Sequence, residues 1–242
     1  MGDKQTYSGT ITKKLYLTHD VIEVTVTLVE PTTLDFVAGQ FVTMEFPDTA
    51  NAGKLVKRSY SIASVPEQKG ALDFWIKLVN GGLASEWFRT AELGTALQME
   101  GPQGKFVLDD KPRKEEMIFV GTGTGIAPLR SMVCHYLPLY PDTRAKVVFG
   151  VRHVKDVFGA EEMFELQKKY PHLSYEITLS RPELPQWAGS KGRVTDSLKT
   201  YRASGPGAEA FLCGSMDMIK EVRTALQAQG FDRKDVHFER FF

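Results

Sequence analysis

Three stretches of this sequence gather residue types that can hold an anion. In FVGTGTGIAPLRSM, the glycines Gly121, Gly123 and Gly125 alternate with threonines directly after a strand-like run ending at Val120, and Pro128 stands at an expected first helical position. Glycine lets backbone amides approach a ligand closely, and a helix N-terminus adds free N–H groups and the positive end of its dipole. A phosphate or pyrophosphate suits such a turn; a tight strand-to-helix connection without a ligand suits it as well. Ile126 occupies the third position of G-x-G-x-x-G, where Gly or Ala is standard, and no Lys follows Gly125, so an ATP-hydrolysing P-loop is excluded. The second stretch is Arg58-Ser59-Tyr60-Ser61, read at the start of a strand, which combines a cation for phosphate with a flat face for a ring system. The third is IKLVNGGLAS, whose Gly81-Gly82 turn leads into a short helix from Ser85 and offers amides and a hydroxyl to an anion. By chemistry alone, an Arg and a Tyr in a strand also read as surface and core residues. About 20 positions after a dinucleotide turn an acidic residue commonly holds the ribose. Here the strand KVVFG runs instead into Gly150-Val151-Arg152-His153, and a cation there favours an extra phosphate.

The remaining reactive side chains mostly exclude chemistry. Cys134 and Cys213 are the only cysteines, too few for a cysteine-ligated iron-sulfur cluster or a disulfide scaffold. Any one-electron centre must be an added cofactor or lie on another protein. Cys134 falls on an apolar helix face and reads as core. Cys213 follows an apolar strand, with no neighbouring Lys or His to lower its pKa. The five histidines (19, 135, 153, 172, 237) show no HExxH or paired spacing, so no metal site is assigned.

These stretches need a scaffold, and the chain offers two kinds. Its 242 residues, 42% hydrophobic and 25% charged, suit one large or two small folded domains. Residues 1–110 carry 10 basic and 14 acidic side chains and residues 111–242 carry 20 and 16, so the halves have net charges of −4 and +4. The total is zero, without the domain-wide basic excess expected of a nucleic-acid binder. No apolar run approaches about 18 residues. MGDKQTYSGT lacks a signal-peptide layout. The expectation is a cytoplasmic protein without membrane insertion. In the first half, SGTITKKLYL, IEVTVTLVE, QFVTMEFP, SYSIAS and ALDFWIKLV read as short strands of an antiparallel β-barrel or sandwich. From Met117, strands MIFV, KVVFG, YEITLS and EAFLC alternate with helical segments, the pattern of an α/β parallel sheet. The charged, Pro-bearing segment Asp109 to Glu116 is the expected boundary, which gives domains 1–110 and 111–242.

In chain order, RSYS, GGLAS, GTGTGIAP, FLCGSMDM and the aromatic-acidic end HFERFF closely resemble the ferredoxin-NADP reductase superfamily, over essentially the whole chain. The resemblance implies an N-terminal FAD-binding β-barrel, a C-terminal NAD(P)-binding α/β domain, and the flavin at the interface between them. It implies that Arg58 pairs with the FAD pyrophosphate, with Ser59 beside it, that Tyr60 stacks on the isoalloxazine, and that Ser61 hydrogen-bonds near the hydride-accepting nitrogen. Leu83, Ala84 and Ser85 match the segment that holds the FAD phosphates. Trp75 matches a position where some members set an aromatic against the cofactor, and core packing accounts for it equally well. Gly123 and Thr124 match the turn facing the nicotinamide nucleotide. Cys213 and Gly214 match a pair near the nicotinamide, Cys213 shaping the site without forming a covalent intermediate. Arg152 and Arg181 match grips for the adenosine 2′-phosphate, with Lys191 and Arg193 assisting. NAD-dependent relatives carry similar pairs, so NADPH is expected and NADH stays the alternative. Glu239 matches an acidic residue near the flavin, which completes a catalytic set with Ser61 and Cys213. Phe241 or Phe242 would cover the ring face opposite Tyr60, the other reading of this end being a frayed terminus.

The activity implied is hydride transfer between NAD(P)H and FAD, coupled to single-electron exchange with a separate ferredoxin-type iron-sulfur protein. An NAD(P)H:flavin reductase, the reductase component of an oxygenase system and a redox-silent flavin- or nucleotide-binding subunit are the alternatives. Lys54, Lys57, Arg58 and Arg89 are candidates for a basic docking patch.

Overall fold

A computed structural model describes residues 5–48, 51, 53–183, 187–201 and 207–241, without the Thr200 side chain. The chain forms two compact units, Met1–Asp109 with Arg130–His135, and Asp110–Leu129 with Tyr136–Phe242.

The first unit contains β1 (Gln5–Tyr16), β2 (Val21–Glu30), β3 (Phe41–Pro47), β4 (Leu55–Ser61), β5 (Ala71–Lys77), the helix α1 (Leu83–Thr90) and β6 (Ala96–Gln103). The six strands form an antiparallel sheet in the order β4-β3-β6-β1-β2-β5. Period-2 alternation decides its faces: Ile22, Val24, Val26 and Leu28 of β2 are buried, and Glu23, Thr25 and Thr27 between them point outward. Each large apolar side chain so buried contributes about 1.5–3 kcal/mol. The edge strands β4 and β5 touch, and Ala63 N, just beyond β4, donates to Asp73 O of β5 at 2.8 Å. The sheet thereby curls into a barrel around Met44, Phe46, Phe74 and Met99, with Phe88 of α1 closing one end.

Sequence reading differs from this barrel at three places. β6 was absent from the expected strands because ALQMEGPQ carries a Gly, a Pro and no β-branched residue; Leu97 and Met99 alone supply its alternation, and its place between β3 and β1 comes from packing. Arg58 lies inside β4, and the strand stops at Ser61, where closure onto β5 begins; SYSIAS had placed it later. α1 opens at Leu83, two residues before Ser85.

The second unit contains β7 (Glu116–Thr122), α2 (Ile126–Leu139, except its stretch Arg130–His135, which belongs to the first unit), β8 (Arg144–Val151), α3 (Ala160–Lys169), β9 (Leu173–Leu179), β10 (Ser190–Lys191), α4 (Val194–Thr200), β11 (Ala208–Gly214), α5 (Met216–Ala228) and β12 (Val236–Arg240). Its sheet is parallel throughout, in the order β10-β9-β8-β7-β11-β12. β11 is buried along its whole length, as a strand covered on both faces must be. The chain lays down β7 to β10 in one direction and then returns to the other side of β7 with β11, so the strand order reverses between β7 and β11. A short 3-10 turn, Gly123–Gly125, precedes α2, so Pro128 is the third helical residue and not the first; the missing amide is harmless there because first-turn N–H groups have no partner within the helix. The chain end does not fray through residue 241. β12 pairs with β11, and Phe241 N donates to Gly214 O at 2.8 Å. Phe242 lies outside the described residues.

Candidate functional site

In the second unit the candidate residues gather at the carboxyl ends of the parallel strands, at the point of strand reversal, which is where open α/β sheets form a ligand crevice. The β7 turn and the end of β11 form its two walls and lie backbone against backbone: a Cβ on Gly125 would collide with the Cys213 carbonyl, and one on Gly214 with the Thr122 hydroxyl. Gly123 takes a left-handed φ of 54° with open space around it, and no side chain caps α2 at Gly125. Thr124 is half-buried in the same turn. Cys213 is wholly buried, and burial, followed by the charge of Glu239, pushes its thiol well above the ordinary range. Glu239 stands opposite Cys213 in the register of β12 on β11. A neutral thiol at this place fills space and does not attack.

Arg152 follows β8 directly and Arg181 lies two residues past the end of β9; both are exposed, and the backbone bond from Arg181 N to Arg152 O, 2.9 Å, brings them side by side. Arg193 is engaged elsewhere: its guanidinium meets Glu221 of α5 at 2.7 Å. Lys191 is exposed on β10. Phe241, tied to Gly214 by its backbone, is half-buried.

In the first unit, Arg58 and Tyr60 pair across β3 with Met44 and Val42, both fully buried, and so project toward the barrel interior. They sit on the edge strand β4, where Arg58 stays exposed and Tyr60 half-buried. Tyr60 meets Phe46 and Phe88 edge-on, with ring centroids 6.2 and 5.6 Å away. Burial raises its hydroxyl pKa, against a smaller opposing pull from Arg58. The Arg58 side chain donates to the Lys57 carbonyl at 2.8 Å. Residues 83–85 form the first turn of α1, and no side chain caps it at Gly82. Ser85 Oγ accepts from Val79 N at 2.9 Å, fixing the Gly-Gly loop against the helix.

The other expected residues take the outer face. Ser59 Oγ lies 3.2 Å from Thr43 Oγ1, on the side opposite Arg58 and Tyr60. Trp75 pairs with Glu23 on the outer face, and the antiparallel closure through Ala63 and Asp73 sets it beside the position of Ser61. Sequence reasoning does not single out Arg130, whose guanidinium lies 5.3 Å over the Trp75 ring and donates to Ala63 O at 2.5 Å. No local pattern signals it, because its partners lie more than 50 residues away. Of the four residues of the suggested basic patch, two are paired with carboxylates: Lys57 bridges Glu45 and Glu100, at 2.9 and 2.6 Å, and Arg89 meets Glu86 at 2.5 Å.

The donor sets fit two nucleotide cofactors. A guanidinium, an uncapped helix start and a half-buried ring in the first unit suit a flavin dinucleotide. A glycine-walled crevice with two exposed guanidinium groups in the second suits a phosphorylated nicotinamide dinucleotide. Among the described residues, no group of three or more His, Cys, Asp or Glu is arranged to hold a metal ion, and no helix is long and apolar enough to cross a membrane.

Comparison with known proteins gives matches in both units. Residues 8–108 match the family model "Oxidoreductase FAD-binding domain" and residues 119–224 "Oxidoreductase NAD-binding domain". The chain is 37% identical over 213 residues to ferredoxin–NADP reductase B of Sorangium cellulosum, covering 85% of each. It is 30% identical to the xylene/toluene monooxygenase electron transfer component XylA of Pseudomonas putida, covering 97% of this chain and 65% of that protein. The chain thus spans about two thirds of that electron transfer component. The structure of the Amycolatopsis cytochrome P450 reductase GcoB superposes with a TM-score of 0.89 at 26% identity, over 98% of this chain and 70% of that one. That of a Neisseria gonorrhoeae ferredoxin NADP+ reductase with bound FAD and NADP matches at 0.84 and 18%, over 98% and 99%, a likeness of fold.

Proposed function

The chain belongs to the ferredoxin-NADP reductase superfamily and is an FAD-dependent NAD(P)H oxidoreductase; from that premise we propose that it exchanges hydride with NADPH and single electrons with a separate ferredoxin-type iron-sulfur protein. Bound FAD supplies the conversion between hydride and single-electron transfer, and the protein supplies binding, orientation and exclusion of water. Arg58 and the first turn of α1, Leu83 to Ser85, hold the pyrophosphate. Tyr60 presents its ring to the isoalloxazine, and Ser61 donates a hydrogen bond to it. The Gly123-Thr124 turn and Gly214 receive the nicotinamide nucleotide. Cys213 keeps its proton and shapes that pocket, Glu239 stands beside it, and Phe241 guards the approach. Ser59 acts through its backbone, and Trp75 supports the flavin side of Ser61.

The preference for NADPH rests on one observation: Arg152 and Arg181, contributed by successive strands, are joined through their backbones and exposed together. Two guanidinium groups so placed suit a phosphate dianion. Domain boundaries near residue 110 and a cytoplasmic location accord with this reading. The reductase component of an oxygenase system is the second reading, favoured by the likeness to XylA. Anaerobic mixing of the purified protein with NADPH and, separately, NADH tests the proposal. Bound flavin absorbance that bleaches faster with NADPH supports it. Equal rates remove the phosphate assignment, and a protein that binds no flavin removes the reductase reading. Adding a ferredoxin and then an oxygenase component to the reduced protein separates the two partner readings by which one is reduced.

A further inference from the structure

Lys14 stands at an unusual place in the barrel. Counting by twos from the buried Ile11 turns Lys13 inward and Lys14 outward, which is what the sequence alone predicts. A register shift between Ile11 and Lys13 reverses this. An extra residue in one strand moves every later side chain to the other face. Lys13 therefore pairs with Thr25 on the outer face and meets Glu23 at 2.7 Å, while Lys14 pairs with the buried Val24 and turns inward. There its Nζ donates to the carbonyl oxygens of Arg89 and Ala91, at 2.9 and 2.8 Å. Arg89 lies in the last turn of α1 and Ala91 is its C-cap. The last carbonyls of a helix have no intrahelical donor and carry the negative end of its dipole, so an ammonium group there satisfies and stabilises them together.

The strand also grips the segment after the helix: Gly94 N donates to Ile11 O at 2.7 Å, and Ile11 N to Thr95 O at 2.9 Å. At the other end, Ser85 Oγ holds Val79 N, and Phe88 is sunk in the core between. An eight-residue helix is about 12 Å long. Phe88, its sixth residue, fixes the helix nearer its C-terminal end, so a tilt at that end swings the N-terminal turn by a larger amount in the opposite direction.

We infer that Lys14 is a positioning residue for cofactor binding: by clamping the C-terminus of α1 to the barrel it sets the first-turn amides of Leu83, Ala84 and Ser85 for the FAD pyrophosphate. The inference rests on the reading of α1 as the phosphate-binding element given above. Lys14 touches no cofactor atom and acts only through the helix.

Affinity for FAD and for riboflavin, which shares the ring and lacks the phosphates, tests this by fluorescence titration of the apoprotein. Wild type is expected to bind FAD far more tightly than riboflavin; equal affinities would overturn the phosphate-binding role of α1 itself. In Lys14→Met, which keeps the aliphatic stem and removes both charge-assisted bonds, the FAD-to-riboflavin ratio is expected to fall about tenfold, with Lys14→Arg restoring it. A ratio unchanged in Lys14→Met, or an equal loss of both ligands, would overturn the positioning role and leave a purely structural clamp. Thermal melting of each apoprotein identifies a variant that does not fold. Lys14→Gln, which retains one donor group, then carries the same comparison, with an intermediate ratio expected and an unchanged one overturning the inference.

Discussion

The two units prepare for phosphate by different means. In the α/β unit the site is mainly backbone: Gly125 and Gly214 bring the β7 turn and the end of β11 together, and the cations invoked, Arg152 and Arg181 foremost, are exposed residues after the neighbouring strands. In the barrel the site is mainly side chain: Arg58 and Tyr60 continue an inward-facing stripe onto the edge strand β4, where the protein stops covering it. The physical origin is the sheet type. Parallel strands all deliver their carboxyl ends to one side, so a crevice arises wherever the strand order reverses. An antiparallel barrel has no such end, and a ligand must be offered side chains from a strand edge and a helix laid across one mouth.

That contrast predicts unequal responses to mutation, beginning with the largest. Arg58→Ala with Tyr60→Ala should yield a folded protein without flavin, because only the exposed edge of the core stripe is cut back. Absorbance and circular dichroism check it, and stoichiometric FAD on that variant would show that the barrel site lies elsewhere. Gly125→Ala should behave in the opposite way, retaining flavin while losing nucleotide binding and about 1–3 kcal/mol of stability to overpacking against the Cys213 carbonyl. Urea unfolding and NADPH titration read both effects, and an intact NADPH affinity would break the idea that this site is built from backbone. Arg152→Ala should raise the KM for NADPH about tenfold more than that for NADH, the loss expected for one charge-assisted phosphate contact. Equal changes would return the crevice to a general dinucleotide site.

The smallest effect concerns α4, whose Arg193 N donates to Asp196 Oδ2 at 2.9 Å. The bond from Lys199, followed by that backbone N–H, holds the Asp196 carboxyl below its ordinary value. Since the folded pKa is the lower one, this contribution is present above the ordinary Asp range and disappears as pH falls through the depressed value. Asp196→Ala should therefore flatten the acid limb of the stability profile slightly at pH values below the ordinary Asp range, without altering flavin content. A changed flavin content would show coupling between the units.

How much of each site could be read beforehand follows the same division. The β7 turn is contiguous, with glycines, threonines and the start of a helix adjacent in the chain, and its place at the strand ends follows from strand-helix alternation. RSYS was visible too, but the faces of its residues depend on the register of β4 on β3, which sets Ser59 opposite Arg58 and Tyr60. The chain end was ambiguous because two of its aromatic rings, His237 and Phe238, occupy a five-residue strand that forms only on β11. There His237 stacks on Phe211 with centroids 4.8 Å apart, and Arg223 covers Phe238 at 4.6 Å.

Residue order alone determined the two fold classes, the glycine turn, the absence of enough cysteine for a cysteine-ligated cluster, and the family, because each depends on local periodicity or on motifs in fixed succession. Tertiary structure alone decided that Lys14 faces α1, that Arg130 covers Trp75, and that Lys57 and Arg193 are paired with carboxylates. These outcomes turn on a one-residue bulge, on barrel closure and on pairings between distant segments. A shift of one residue reverses the face of a strand while leaving its composition and local pattern unchanged.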